Sequence, residues 1–128
     1  MKLLLDTHAL IWFLEDDPNL SATARDAIEE PTNERWVSLA SGWEMAIKSQ
    51  LGKLALPRPF AELFPGTLES LGFSILLIQP RHLQRYHALP LHHRDPFDRL
   101  MVAQALADDF RIVGCDAAFD AYGVTRIW

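Results

Sequence analysis

Lys2-Leu3-Leu4-Leu5-Asp6-Thr7-His8-Ala9-Leu10-Ile11-Trp12 is the stretch that decides the fold. Lys2–Leu5 is a continuous apolar run rather than an alternating one, as expected of a strand buried on both faces of a parallel sheet. It gives way at Asp6, and Thr7–Leu14 reads as a helix. Ser21–Glu30 reads as a second helix, with Ser21 as N-cap and Pro31 beyond its end. Arg35–Leu39 is a second strand, followed by a helix from about residue 42 to 51 that Gly52 terminates. Phe60–Leu71 is helical in pattern but interrupted at Pro65-Gly66. Phe73–Ile78 is a third strand, Arg81–Leu89 and Pro96–Asp108 are helices, and Arg111–Val113 and Val124–Trp128 supply the last strands. Strands separated by helices require crossover connections, hence an α/β fold with a mostly parallel sheet covered on both faces.

The chain has 128 residues, 49% hydrophobic and 23% charged, which suits a single domain spanning 1–128. No apolar run is long enough to span a membrane, and the run before Asp6 is too short for a signal peptide. Cys115 is the only cysteine. This excludes an internal disulfide and a cysteine-based zinc site, and a reducing cytoplasm is the expected compartment. The net charge of −5 argues against a nucleic-acid partner, but its distribution tells more. Residues 1–34 are strongly acidic. The basic residues concentrate in 81–99, where Arg81, Arg85, Arg94 and Arg99 stand with His82, His87, His92 and His93. For Arg81, Arg85 and His82 ordinary solvation of a helix is the favoured reading. For His92, His93, Arg94 and Arg99, close to two acids, contact with phosphates of a nucleic acid is equally open.

Four carboxylates fall at one rim. In open parallel sheets the functional crevice lies beyond the carboxyl ends of the strands. Asp6 comes directly after the first strand and Asp116 just after Arg111–Val113. Glu44 is expected in the first turn of the helix after strand two, and Asp98 in the first turn of the Pro96–Asp108 helix. Crowded carboxylates repel, and a hard divalent cation with oxygen ligands relieves that repulsion. Mg²⁺ combines a few carboxylates with water and substrate phosphate, which suits phosphodiester hydrolysis.

Each acid also has a plainer role. Ser41-Gly-Trp-Glu44 matches a capping box, and Asp95 is the natural N-cap before Pro96. Asp6 could cap the helix beginning at Thr7, and Asp116 the short Ala117–Tyr122 turn. Capping alone does not explain why four such residues share a rim. Trp43, Ile47 and Leu51 form an apolar stripe, expected to pack inward and turn Glu44 and Lys48 away, with Lys48 either the i+4 partner of Glu44, the favoured reading, or a cation near the site. Cys115 is expected to be a small buried hydrophobe. Trp12, Phe13 and Trp43 are expected in the core or an interface rather than as base-stacking platforms.

Four stretches carry a resemblance along nearly the whole chain: Leu3–Trp12, Val37–Lys48, His93-Arg-Asp-Pro-Phe-Asp-Arg-Leu-Met-Val-Ala-Gln104 and Ile112–Phe119. They resemble PIN-domain ribonucleases and, more narrowly, the VapC toxins of type II toxin–antitoxin systems. The resemblance implies a PIN-like three-layer α/β/α fold and a Mg²⁺- or Mn²⁺-dependent endoribonuclease. It also implies a homodimer and a cognate VapB-like antitoxin that wraps around it. Carried over position by position, the family's acids fall on Asp6, Glu44, Asp98 and Asp116. Asp6 and Asp98 would be the principal metal ligands, with Glu44 and Asp116 completing the shell directly or through water. Thr7 would bond a neighbouring carboxylate, and Asp95 would fix the Asp98 helix. Gly114 departs from the pattern, since relatives often carry Thr or Ser there. Two rivals stand beside this reading. An aspartyl phosphotransferase would want a second Asp where His8 stands, and a binding-only relative would use its acids as caps alone.

Overall fold

Leu3, Leu4 and Leu5 are fully buried, as a strand with cover on both faces requires. In the computed structural model, which describes Met1–Trp128, these residues form the central strand β1 (Lys2–Leu5). The chain continues through α1 (Thr7–Leu14), α2 (Ala22–Glu29), β2 (Glu34–Ser38) and α3 (Leu39–Gln50). Short helices α4 (Phe60–Glu62) and α5 (Leu68–Ser70) lead to β3 (Ser74–Leu76), α6 (Pro80–Ala88), α7 (Pro96–Asp108) and β4 (Arg111–Val113). A 3₁₀ turn (Ala117–Tyr122) and β5 (Arg126–Ile127) complete the chain. The five strands run in the order β3-β2-β1-β4-β5, and every neighbouring pair is parallel. The α/β expectation therefore holds, with strands three and five shorter than their apolar patterns suggest.

Alternation along β1 separates two cores. Leu3 and Leu5 face a cluster with Leu10, Ile28, Met45 and Phe73, whereas Leu4 faces Met101, Ile112 and Phe119. Each buried leucine contributes about 1.5–3 kcal/mol of transfer free energy relative to exposure. The chain leaves β1 towards β2 on one side and later fills β4 on the other. The carboxyl ends of β1 and β4 thus form the switch point where such sheets open a crevice.

Helix α3 corrects four expectations. It starts at Leu39, because Ser38 at the end of β2 caps it, with Oγ accepting the Ala40 N–H at 3.0 Å. The Ser41–Glu44 capping box does not form; Ser41 Oγ donates to Met101 Sδ in the core. Glu44 consequently lies in the second turn rather than the first. The buried face comprises Ala40, Ser41, Gly42, Glu44 and Met45, while Trp43 and Leu51 are each 61% exposed. The Trp43–Ile47–Leu51 stripe is therefore not the packing face. Phe64 decides this: a Cβ on Gly42 would lie 2.5 Å from Phe64 Cζ, so only glycine lets that ring close on the helix. Phe64 is itself non-helical, which explains the break of the 60–71 segment into two short helices.

Helix α6 is tied to the end of α7 by polar contacts, one from a buried histidine and two from an exposed arginine. His82 is fully buried; its Nδ1 accepts the Gln79 N–H at 2.9 Å and its Nε2 lies 2.7 Å from Asp108 Oδ2. Arg81 grips the same carboxylate through Nε and Nη2 at 2.8 and 2.9 Å. This holds the Asp108 carboxyl down at about 2, with Arg81 the main cause. No helix is long and apolar enough to cross a membrane.

Candidate active site

Asp6 ends β1 in extended backbone, and its Oδ1 accepts the Ala9 N–H at 2.7 Å, capping α1. Asp116, three residues past β4, caps the 3₁₀ turn through Oδ1, which accepts the Ala118 N–H at 2.9 Å. Asp95 Oδ1 accepts from the Phe97 and Asp98 N–H groups at 2.8 and 3.2 Å and starts α7. Capping and clustering are thus not rival explanations for Asp6 and Asp116. In each, one oxygen serves the helix and the other is left for the cleft. Asp98 and Glu44 cap nothing.

All four sequence-identified acids line one open cleft of about 530 Å³, together with Thr7, His8, Trp12, Lys48, His93, Asp95 and Cys115. Glu44 is 4% exposed. Both its oxygens are engaged: Thr7 Oγ1 donates to Oε1 at 2.5 Å and Lys48 Nζ to Oε2 at 2.6 Å. Thr7 therefore makes the carboxylate contact expected of it, and Lys48 is the i+4 partner of Glu44. Burial of the Glu44 carboxylate is tolerable because both its oxygens are hydrogen-bonded, one of them to the half-exposed Lys48.

The electrostatics single out two carboxyls. Asp6 is pushed up to about 7, chiefly by burial, with the charges of Glu44 and Asp116 adding to it. Asp98 also rises to about 7, by burial and by the charges of Asp95, Asp6 and Glu44. Asp116 is held below the usual range by the Ala118 N–H and then by His93. Two acids raised by burial and further by their neighbours' charge, in a cleft open to solvent, form a donor set that suits a hard dication.

The basic candidates separate. His93 sits within the cluster, its Nε2 3.1 Å from Asp98 Oδ2 and 3.0 Å from Asp116 Oδ2. His92 is exposed and packs edge-on against Tyr122, and Arg94 is exposed nearby. Arg99 turns away from the cleft: its guanidinium lies 4.6 Å over the Tyr86 ring and reaches Leu89 O, so it pairs with neither Asp95 nor the acids. Trp12 and Cys115 belong to the cleft wall although their sequence signals pointed elsewhere. Trp12 was legible only as apolar. Cys115 is exposed rather than buried, because the chain turns outward after β4. Partial desolvation of the sulfur against the cleft wall and then the Asp6 charge push the thiol of this otherwise exposed residue up, which makes it a poor nucleophile.

Gly114 has a steric reason. A Cβ there would stand 2.5 Å from Asp6 Oδ2 and 3.3 Å from Phe119 Cε2. The space that a Thr or Ser would occupy is taken by the Asp6 carboxylate, and Asp116 is ordered independently by its cap and by His93.

A parallel sheet with acids gathered at its switch point defines a class, and the sequence profile of the PIN domain matches residues 3–124. The chain belongs to the PIN-domain family. Within it, the chain is similar to Ribonuclease VapC16 of Mycobacterium tuberculosis, 36% identical over 69 residues, covering 51% of this chain and 49% of that protein. The match thus spans about half the length of the curated relative. The fold is similar to that of VapBC2 from Rickettsia felis bound to a promoter DNA fragment, with TM-score 0.71, 14% identity and coverage of 98% and 97% of the two chains. It is also similar to VapBC-1 from nontypeable Haemophilus influenzae, with TM-score 0.66, 14% identity and coverage of 98% and 96%.

Proposed function

We propose that this protein is a Mg²⁺- or Mn²⁺-dependent endoribonuclease and the toxin of a toxin–antitoxin pair. The observation that carries the reading is the convergence of Asp6, Glu44, Asp98 and Asp116 on one open cleft, with Asp6 and Asp98 both raised to about 7. Asp6 and Asp98 would hold the cation, with Asp116 and Glu44 completing its surroundings directly or through water. When bound, the cation would polarise a phosphate and lower the pKa of a water.

The chain's own residues do the rest. The caps at Asp6 and Asp116 fix each carboxylate to a rigid element, so the donors stand ready before substrate arrives. Thr7 and Lys48 grip Glu44, keeping its charge near the site without leaving either oxygen unpartnered. Asp95 anchors the first turn of α7 and thereby aims Asp98. His92 and Arg94, exposed beside the cleft, would meet the RNA backbone, whereas Arg99 serves the packing of α6 on α7.

The likeness to VapC16 and to two VapBC structures supports a VapB-like antitoxin as partner; a toxin homodimer and action in the cytoplasm belong to the same reading and rest on the sequence resemblance alone. The test is cleavage of total RNA by the purified protein with Mg²⁺, Mn²⁺ or EDTA, and then addition of the product of an adjacent short reading frame. Metal-dependent cleavage silenced by that product is expected. Cleavage in EDTA would rule the reading out.

A further inference from the structure

Three side chains of the cleft, His93, Asp98 and Asp116, offer ligand atoms within 4.8 Å of one another, which makes His93 a natural candidate for a fifth metal ligand. The hydrogen bonding of the ring argues otherwise. An imidazole that ligates through Nε2 must present a bare lone pair there, so its hydrogen resides on Nδ1 and needs an acceptor. Here Nδ1 faces a donor, the Asp95 backbone N–H, at 3.1 Å. A hydrogen on Nδ1 would collide with that N–H. Nδ1 is therefore the acceptor, and Nε2 carries the hydrogen towards Asp98 Oδ2 at 3.1 Å and Asp116 Oδ2 at 3.0 Å.

The ring has little freedom to change roles. Its side chain is only 17% exposed. Its backbone N–H donates to Tyr122 Oη at 2.8 Å, and the ring lies against Phe119 at a centroid distance of 6.2 Å. Tyr122 and Phe119 are both buried.

We propose that His93 is a positioning residue rather than a metal ligand: its Nε2–H ties Asp98 to Asp116, and the Asp95 N–H fixes the tautomer that makes this possible. It joins α7 to the turn after β4 at the cleft, where each of the two contributes a carboxylate. The peptide N–H that holds the ring belongs to the residue whose side chain caps α7, so Asp95 organises both the acid and its strut. The inference rests on the nuclease reading for what the spacing serves, while the tautomer stands on geometry alone.

The experiment uses the purified wild-type chain, His93→Gln and His93→Ala. Long-range ¹H–¹⁵N correlation of the imidazoles, with and without saturating Mg²⁺, reads which nitrogen of His93 carries the hydrogen. Mn²⁺ affinity is measured by electron paramagnetic resonance, and thermal melts check folding. A hydrogen on Nε2 in both states is expected. Gln, which keeps an N–H donor, should hold Mn²⁺ within about threefold of wild type, while Ala should lose roughly tenfold or more, as outer partners of metal ligands typically do. A hydrogen on Nδ1, or its loss from Nε2 on adding Mg²⁺, would overturn the proposal and make His93 a ligand. Equal losses in Gln and Ala, or no loss in Ala, would overturn it as well. Failure of the wild type to bind Mn²⁺ would instead sink the nuclease reading, and with it the role of the strut.

Discussion

Asp6→Asn should stabilise the metal-free protein, and by an amount that depends on pH. The Asp6 carboxyl rises from 3.8 to about 7 on folding, chiefly through burial. Because the folded value is the higher one, the folded state holds the proton more tightly than the unfolded state. The cost of ionising Asp6 is absent below about pH 4, grows as pH rises through the window from 4 to 7, and is complete above it. At about 1.4 kcal/mol per pK unit, that cost is about 4 kcal/mol at pH 8 and roughly 2 kcal/mol at pH 5. Asparagine removes the titration yet keeps an oxygen to accept the Ala9 N–H, and Asn is as good an N-cap as Asp. Urea unfolding in EDTA should therefore show Asp6→Asn more stable than wild type at pH 8, with the gap narrowing by about half at pH 5. Saturating Mg²⁺ should stabilise only the wild type, by about 2.7 kcal/mol at a hundredfold excess over Kd. Loss of stability in the variant at pH 8, or a gap unchanged between pH 5 and 8, would refute the reasoning.

Gly114→Ala should displace the Asp6 carboxylate, since its Cβ would stand 2.5 Å from Oδ2; Mn²⁺ titration should show weakened binding in a protein that still folds. Asp95→Ala should cost about 0.5–2 kcal/mol by loss of the cap on α7, and Asp95→Ser should restore most of it, both read by thermal melts. Asp108→Asn should lower stability at neutral pH by about 1–3 kcal/mol, by loosening the hydrogen bonds to Arg81 and His82. Asp108 is held at about 2, below its unfolded value of 3.8, so the stability it supplies is complete above pH 4 and fades as pH falls towards 2. Acid titration of the wild type and Asp108→Asn should therefore converge over that interval.

The apolar run Lys2–Leu5 was sufficient to place the central strand, because burial on both faces leaves no polar alternation to misread. The four acids were legible for a related reason: Asp6, Asp98 and Asp116 stand where strand or loop becomes helix and Glu44 one turn beyond such a junction, and in a parallel sheet those junctions share one edge. What local pattern could not decide was the face on which α3 packs. Ser38 and Ser41 are equally good caps in isolation, and Trp43, Ile47 and Leu51 form a convincing stripe. Contacts distant in sequence settled both questions: Met101 takes the Ser41 hydroxyl, and Phe64 closes on Gly42. The same limit hid the role of His93, named from sequence only for phosphate contact, whose partners Asp98 and Asp116 are gathered by the fold, and it misplaced Arg99, which Tyr86 draws away. Gly114 could be noticed in the sequence as a departure, but its reason, the space claimed by Asp6 Oδ2, exists only in three dimensions.

Cleavage of a structured RNA by the wild type and by Asp98→Asn, in matched Mn²⁺ and EDTA reactions with folding checked by circular dichroism, tests the account most directly. Asp98 caps nothing, so its loss touches the carboxylate cluster without removing a helix cap. The account predicts Mn²⁺-dependent fragments from the wild type and none from a normally folded Asp98→Asn. Cleavage by Asp98→Asn at the wild-type rate, or wild-type cleavage undiminished by EDTA, would contradict it.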